Sequence, residues 1–274
     1  MLLRDFAHDR ETIDWLLDQG VDISQTDTRR LDDGFNLASE ASDNSLHLLN
    51  KVAADGDIDL FDYLVSRGAD ASRSLALHTA SKFQDPEKSR AMVRNLLDRH
   101  NMDINVNDRT FRDTFNGVFD QGSPLCSAVI HRNLAVVQEL LNRGASSSKP
   151  GFRPVSYAVK SGGFLPALEP LLRAGADPTK ALIMSVRCTN LEAAEACLEF
   201  GADPASALVD AIEDEKERVE IAADNAAFYE DQSYEEDEAS IEERKAAEKS
   251  SRSFIDFLTR ATESSTASHT TSFR

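Results

Sequence analysis

A glycine that returns behind one fixed apolar spacing restricts this chain more than any other feature. Segments close on Leu-Asp-Gln-Gly20, Val-Ser-Arg-Gly68, Leu-Asn-Arg-Gly144, Leu-Arg-Ala-Gly175 and Leu-Glu-Phe-Gly201. Counting back three, four and seven residues gives Leu17, Leu16 and Ile13, then Val65, Leu64 and Phe61. The later glycines give Leu141, Leu140 and Val137, then Leu172, Leu171 and Leu168, then Leu198, Cys197 and Ala194. Every one of these positions is apolar, and the three offsets share one helical face. Each segment therefore predicts a short helix with one buried stripe, ended by a glycine free to take a positive φ.

The 76 residues between Gly68 and Gly144 hold two units, and the missing one closes on Leu96-Leu97-Asp98-Arg99-His100-Asn101. His100 stands in the glycine's place, and Asn101 is the residue able to make the left-handed turn. One short amphipathic helix cannot bury its stripe alone, so a partner helix is expected before each. Leu49 to Ala54, Ala76 to Ala80, Ser123 to Ala128, Pro154 to Ala158 and Leu182 to Val186 are the candidates. Ala207 to Ala211 and Phe254, Phe257 and Leu258 read as the two helices of a last unit, split by the residues between them.

Ser123-Pro124-Leu125-Cys126-Ser127-Ala128, Ala76 to Ala80, and the closing Gly-Ala-Asp of Gly68–Asp70, Gly175–Asp177 and Gly201–Asp203 resemble the ankyrin repeat, whose first helix carries T-P-L-H-x-A. The resemblance spans about residues 1 to 212 and resumes near 250 to 262. It implies an all-α fold, an ankyrin-repeat solenoid of helix pairs with β-turn fingers, about six to seven repeats long. It also implies a concave face of finger tips and first helices, the usual protein-binding surface of such stacks, and a structural hydrogen bond from His78 to the turns between repeats. The spacing is uneven, 26 residues from Gly175 to Gly201, and the first unit is cut short, which predicts a truncated or atypical N-terminus. Leu97, Asp103, Ile104 and Asn105 match loosely the spacing at which asparagine is hydroxylated in some ankyrin repeats.

Two segments do not repeat. Residues 105–122 carry Phe111, Phe115 and Phe119 at i, i+4 and i+8, one helical face that either binds a partner or folds back onto its own repeats. Residues 213–248 carry fifteen Asp and Glu against four Lys and Arg, −11 of a net −18. That stretch reads as an acidic insertion within the last repeat: a solvated helix or loop, a docking segment for a basic partner, or a cover over the protein's own groove. The expected division is a repeat array over 1–212, the acidic insertion over 213–248, a capping helix over 249–263 and a disordered Ser/Thr-rich tail over 264–274.

The charge balance repels nucleic acid and anionic membranes as main partners. Met1 to Asp5 opens no apolar run of signal-peptide length, and three cysteines without metal spacing suit a reducing compartment, so an intracellular protein, cytoplasmic or nuclear, is expected. Cys126 and Cys197 fall on core positions, Cys188 near a turn. Phosphate-loop, dinucleotide and nucleophile-elbow motifs are absent from the sequence, and no histidine pair suggests a metal. The expected function is a non-catalytic scaffold, monomeric and without cofactor or metal, that binds a protein partner. The contact residues expected on the fingers and the aromatic insertion are Arg73, Asp108, Phe111, Arg112, Phe115, Lys149, Phe152, Arg153 and Lys180. The alternatives are a regulatory or adaptor subunit acting through the acidic stretch and, more remotely, an enzyme whose pocket draws on residues distant in sequence.

Overall fold

A computed structural model describes residues 10–21, 23, 47–82, 85–106, 122–148, 153–160, 162–232 and 238–271. Expectations placed on residues 107–121 and 149–152 lie outside these. Among the described residues, a helix α1 (Arg10–Asp18) is followed in sequence by six helix pairs. These are α2 (His47–Asp55) with α3 (Ile58–Ser66), α4 (Ala76–Ala80) with α5 (Pro86–Asp98), and α6 (Pro124–Ile130) with α7 (Leu134–Asn142). Then come α8 (Pro154–Val159) with α9 (Leu168–Arg173), α10 (Pro178–Arg187) with α11 (Leu191–Glu199), and α12 (Pro204–Gln232) with α13 (Glu238–Thr271). The fold is an all-α array of ankyrin-like pairs, and the chain divides into two compact units, Met1–Tyr157 and Ala158–Arg274.

The glycine spacing works as the sequence predicts. The residues four and seven before each of the five glycines are all buried: Leu16, Ile13, Leu64, Phe61, Leu140, Val137, Leu171, Leu168, Cys197 and Ala194. Those three before are half-buried except Leu172, so the stripe's third column forms its rim. At Gly68, with φ 104°, the amide donates to the Val65 carbonyl and the Ala69 amide to the Leu64 carbonyl, each at 3.0 Å. This doubly bonded left-handed turn satisfies two carbonyls the helix end leaves free, and Ala69 buries itself behind it. In the third unit Asn101 takes the left-handed turn at φ 48°. His100 beside it plugs the helix end, with its ring edge-on to Phe61 at 5.1 Å.

In the first unit the first helices of successive pairs form one row: α2 packs on α4 and α4 on α6. Several polar groups buried in that row bond across it. Asn50 accepts from the Leu75 amide at 2.7 Å. Ser127 donates to the His78 carbonyl at 2.8 Å, and Asn133 to the Ser81 carbonyl at 3.3 Å. His78 Nε2 lies 3.0 Å from the Gly122 carbonyl, so it carries the proton and donates, which is the turn-bridging role the resemblance implies. Gly122 itself has φ +69°, and a Cβ there would meet Cys126 Sγ at 2.9 Å.

In the second unit α9 packs on α11, α10 on α11 and α12, and α12 on α13. Phe254 and Leu258 of α13 are buried, as are Ala207 and Ala211 of α12, so the two halves of the last repeat read from the sequence do form a pair. The split falls elsewhere than at residue 212. α12 runs through residue 213 without a break to Gln232, and α13 runs through residue 263 to Thr271. No glycine or proline interrupts either span after its first residue, and the Ala, Glu, Lys and Arg that fill them favour helix. The described part of the acidic stretch is therefore helix, and residues 264–271, expected as disordered tail, are helix too.

Candidate functional site

The charged side chains of the first unit sort by helix row. Along the second helices they pair with one another across repeats. Tyr63 of α3 donates to Asp14 of α1, and Arg67 reaches Asp14 at 3.1 Å and Asp18 at 3.8 Å. Asp62 of α3 accepts from Asn95 at 2.8 Å and from His100 Nε2 at 2.7 Å, and pairs with Arg99. Arg94 of α5 donates to Glu139 of α7 at 2.7 Å, while Arg143, the residue that caps α7, holds both Glu139 at 2.6 Å and Asp98 of α5 at 2.5 Å.

The carboxyls of this ladder are tuned by it. Burial alone would push Asp62 up, but hydrogen bonds from Asn95 and His100 and the Arg99 guanidinium together hold it below the ordinary carboxylate value. The hydrogen bond from Arg94 holds the Glu139 carboxyl low, against its burial and with help from Arg143. The sequence gives Asp98, Arg99 and His100 as the end of a helix, with no sign that they pair across repeats. Only Glu139 and Arg143, four apart on one helix, carried a signal.

The residues expected on the binding face are placed as follows. Arg73 closes a short 3₁₀ turn, Ala71–Arg73, capped by Asp70. Arg153 is exposed one residue before α8, and no ion pair is made by it among the described residues. Lys180, 83% exposed, sits in the first turn of α10 rather than on a finger, 3.8 Å from Asp177. Asp108, Phe111, Arg112, Phe115, Lys149 and Phe152 lie outside the described residues.

The second unit stitches its first helices instead. Arg187 of α10 donates to Asp210 of α12 at 2.8 Å and lies 3.1 Å from Asp214. Beside it is a cleft of about 380 Å³ lined by Arg187, Asp214, Arg218, Ile221 and Phe254. Its arginines are engaged, Arg187 as above and Arg218 with Glu215 at 2.9 Å. Among the described residues no group of three or more His, Cys, Asp or Glu side chains is placed to hold a metal ion. No described helix is long and apolar enough to cross a membrane. Cys126 and Cys197 are fully buried, and burial pushes the Cys197 thiol up to about 11, against a hydrogen bond from Ser185. Cys188, half-buried at the end of α10, is also raised by burial, with Lys160 opposing.

No protein-family model matches the sequence. No curated protein matches it either. Among solved structures, the human ASB11 ankyrin repeat domain is similar, with a TM-score of 0.43 and 21% identity, covering 57% of this chain and 70% of that one.

Proposed function

We propose that the chain is a non-catalytic scaffold that holds a protein partner along the face built from its first helices and the fingers that precede them. The observation that supports this is the unequal commitment of charge in the first unit. The second helices commit charges to one another across repeats, from Asp14 to Arg143, and so leave fewer ions on that surface free for a partner. A surface of paired ions offers a partner little, because binding there must first break pairs that water and protein already stabilise. Arg153, on the finger side, is exposed and unpaired among the described residues. The proposed contacts are Arg73, Arg153 and Lys180, with Asp108, Phe111, Arg112, Phe115, Lys149 and Phe152 of the segments outside the description.

A photo-cross-linking residue placed at Arg153 or at Lys180, with one at Arg99 on the second-helix side for comparison, tests this in native extract. Adducts to the same protein from the first two sites and none from Arg99 are expected. A partner captured from Arg99 alone sinks the assignment of the face.

A further inference from the structure

Four large apolar side chains of α12 are exposed: Val209 at 58%, Ile212 at 49%, Val219 at 56% and Ile221 at 52%. At 100° per residue the first three fall, with exposed Ala205, in an arc of about 80° and run about 15 Å along the helix axis. The opposite side of α12 holds the buried Ala207 and Ala211 and is the side fitted to the rest of the unit. In the first unit α4 has a first helix on each side, α2 and α6, whereas α12 packs on α10 alone among the described first helices. The outward face of α12 is a ridge of β-branched apolar residues.

One edge of the ridge is charged. Glu213, Glu217 and Glu220, at i, i+4 and i+7, form a row beside it, are all exposed, and make no ion pair among the described residues. The carboxylates further round the helix are occupied, Asp210 and Asp214 by Arg187 and Glu215 by Arg218, and Glu217 stands where the row meets the cleft beside Arg187. An apolar ridge with a row of uncommitted carboxylates along one edge complements a helix with an apolar stripe and a row of lysine or arginine beside it. A second copy of the chain does not fit, since it brings the same carboxylates and a further −18 to the contact.

We infer that the outward face of α12, Val209, Ile212 and Val219 with Glu213, Glu217 and Glu220, is a docking surface for a basic amphipathic helix of a partner protein. This surface is separate from the first-helix and finger face proposed above, and either can fail without the other. Lys216, exposed within the ridge, covers it with its aliphatic stem and opposes a basic partner with its ammonium.

The test uses the full chain and a fluorescent leucine–lysine peptide with leucines at i, i+3, i+4 and i+7, read by anisotropy. The control is a peptide of the same composition scrambled to have no apolar face. The ordered peptide is expected to bind and the scrambled one to bind far more weakly. Val209→Ser with Ile212→Ser is expected to weaken binding about tenfold, from loss of apolar contact. Glu213→Gln, Glu217→Gln and Glu220→Gln together should weaken it and flatten its salt dependence. Lys216→Glu should tighten it, and decides the matter alone if the serine variant melts early by circular dichroism. Equal binding of the two peptides, unchanged affinity in the serine variant, weaker binding by Lys216→Glu, or no binding at all overturns the inference. So does a dimer of the native chain that Ile212→Ser dissolves, which would give the ridge to a second copy.

Discussion

The two units use the same helix pair but place their ionic seams on different rows. In the first, the cross-links run along the second helices, and the carboxylate most deeply enclosed by them, Glu139, is 8% exposed and shared by two arginines. In the second, the seam runs between first helices, from Arg187, 48% exposed, to Asp210 and Asp214. An enclosed pair that loses one member strands a charge, whereas an exposed one is rehydrated. The difference teaches that repeats with one backbone plan need not present the same free surface. Which face is left open to a partner depends on where each unit has already spent its charges.

The comparison rests on each unit having an apolar core of its own, and breaking such a core sets the upper bound on any effect. Leu140→Ala removes a side chain that is 0% exposed in α7, with a cost of about 2–5 kcal/mol. Ile212→Ala, on the exposed ridge, should stay within about 0.5 kcal/mol. Urea melts of the two variants check this. Similar midpoints would mean that the α12 ridge is covered in the native protein.

The seams themselves come next. Glu139→Ala should cost about 1–3 kcal/mol, because Arg94 and Arg143 lose the acceptor between them. Arg187→Ala should cost less than about 1 kcal/mol. Acid sharpens the contrast. The carboxyls of Asp62 and Glu139 are held below their ordinary values in the folded state, so below those values the unfolded chain binds more protons. Their contribution is complete above the unfolded value and is lost as pH falls through the folded one. Protection against hydrogen exchange in α3, α5 and α7, relative to the free-peptide rate at each pH, is expected to fall below about pH 4, and Glu139→Gln should flatten that dependence. A Glu139→Gln variant with the native acid profile would show that the ladder is ornamental.

Much of the pairwise fold was legible because it is written locally. Leu64, Phe61 and Gly68 lie within one turn or two of each other, and the offsets four and seven are fixed by helix geometry whatever surrounds them. His78 was legible through the resemblance alone, since its acceptor at Gly122 lies 44 residues away. The ladder was not legible: Arg94 meets Glu139 across 45 residues and Asp62 meets Asn95 across 33, and no single offset links such pairs when repeats are unequal in length. The α12 ridge was missed for another reason. The density of carboxylates over 213–248 drew attention to net charge, while Val209, Ile212 and Val219 stand just where that stretch begins and share one face only if the helix runs on through residue 213.

The units also differ in the turn between their paired helices, and this predicts the smallest effect, a gain. The first unit makes it with Gly56 at φ 72° and Arg132 at φ 57°, the second with Gly162 at φ 67° and Thr189 at φ 52°. A β-branched residue is the costliest of these in the left-handed region, since its Cβ crowds the following carbonyl. The turn's bonds are backbone bonds, Thr189 N to the Val186 carbonyl and Asn190 N to the Ser185 carbonyl, both 2.9 Å, so they survive a change of side chain. Asn190 still caps α11 through the Ala193 amide at 3.1 Å. Thr189→Gly gives up only an exposed hydroxyl contact to the Cys188 carbonyl and some unfolded-state order. The strain relieved should exceed both, stabilising the chain by about 0.5–1 kcal/mol in a urea melt. The same change at Arg132 should give less, because arginine lacks the second branch. A loss of stability at Thr189 would mean that its side chain secures the turn, and that the second unit builds this corner by different means from the first.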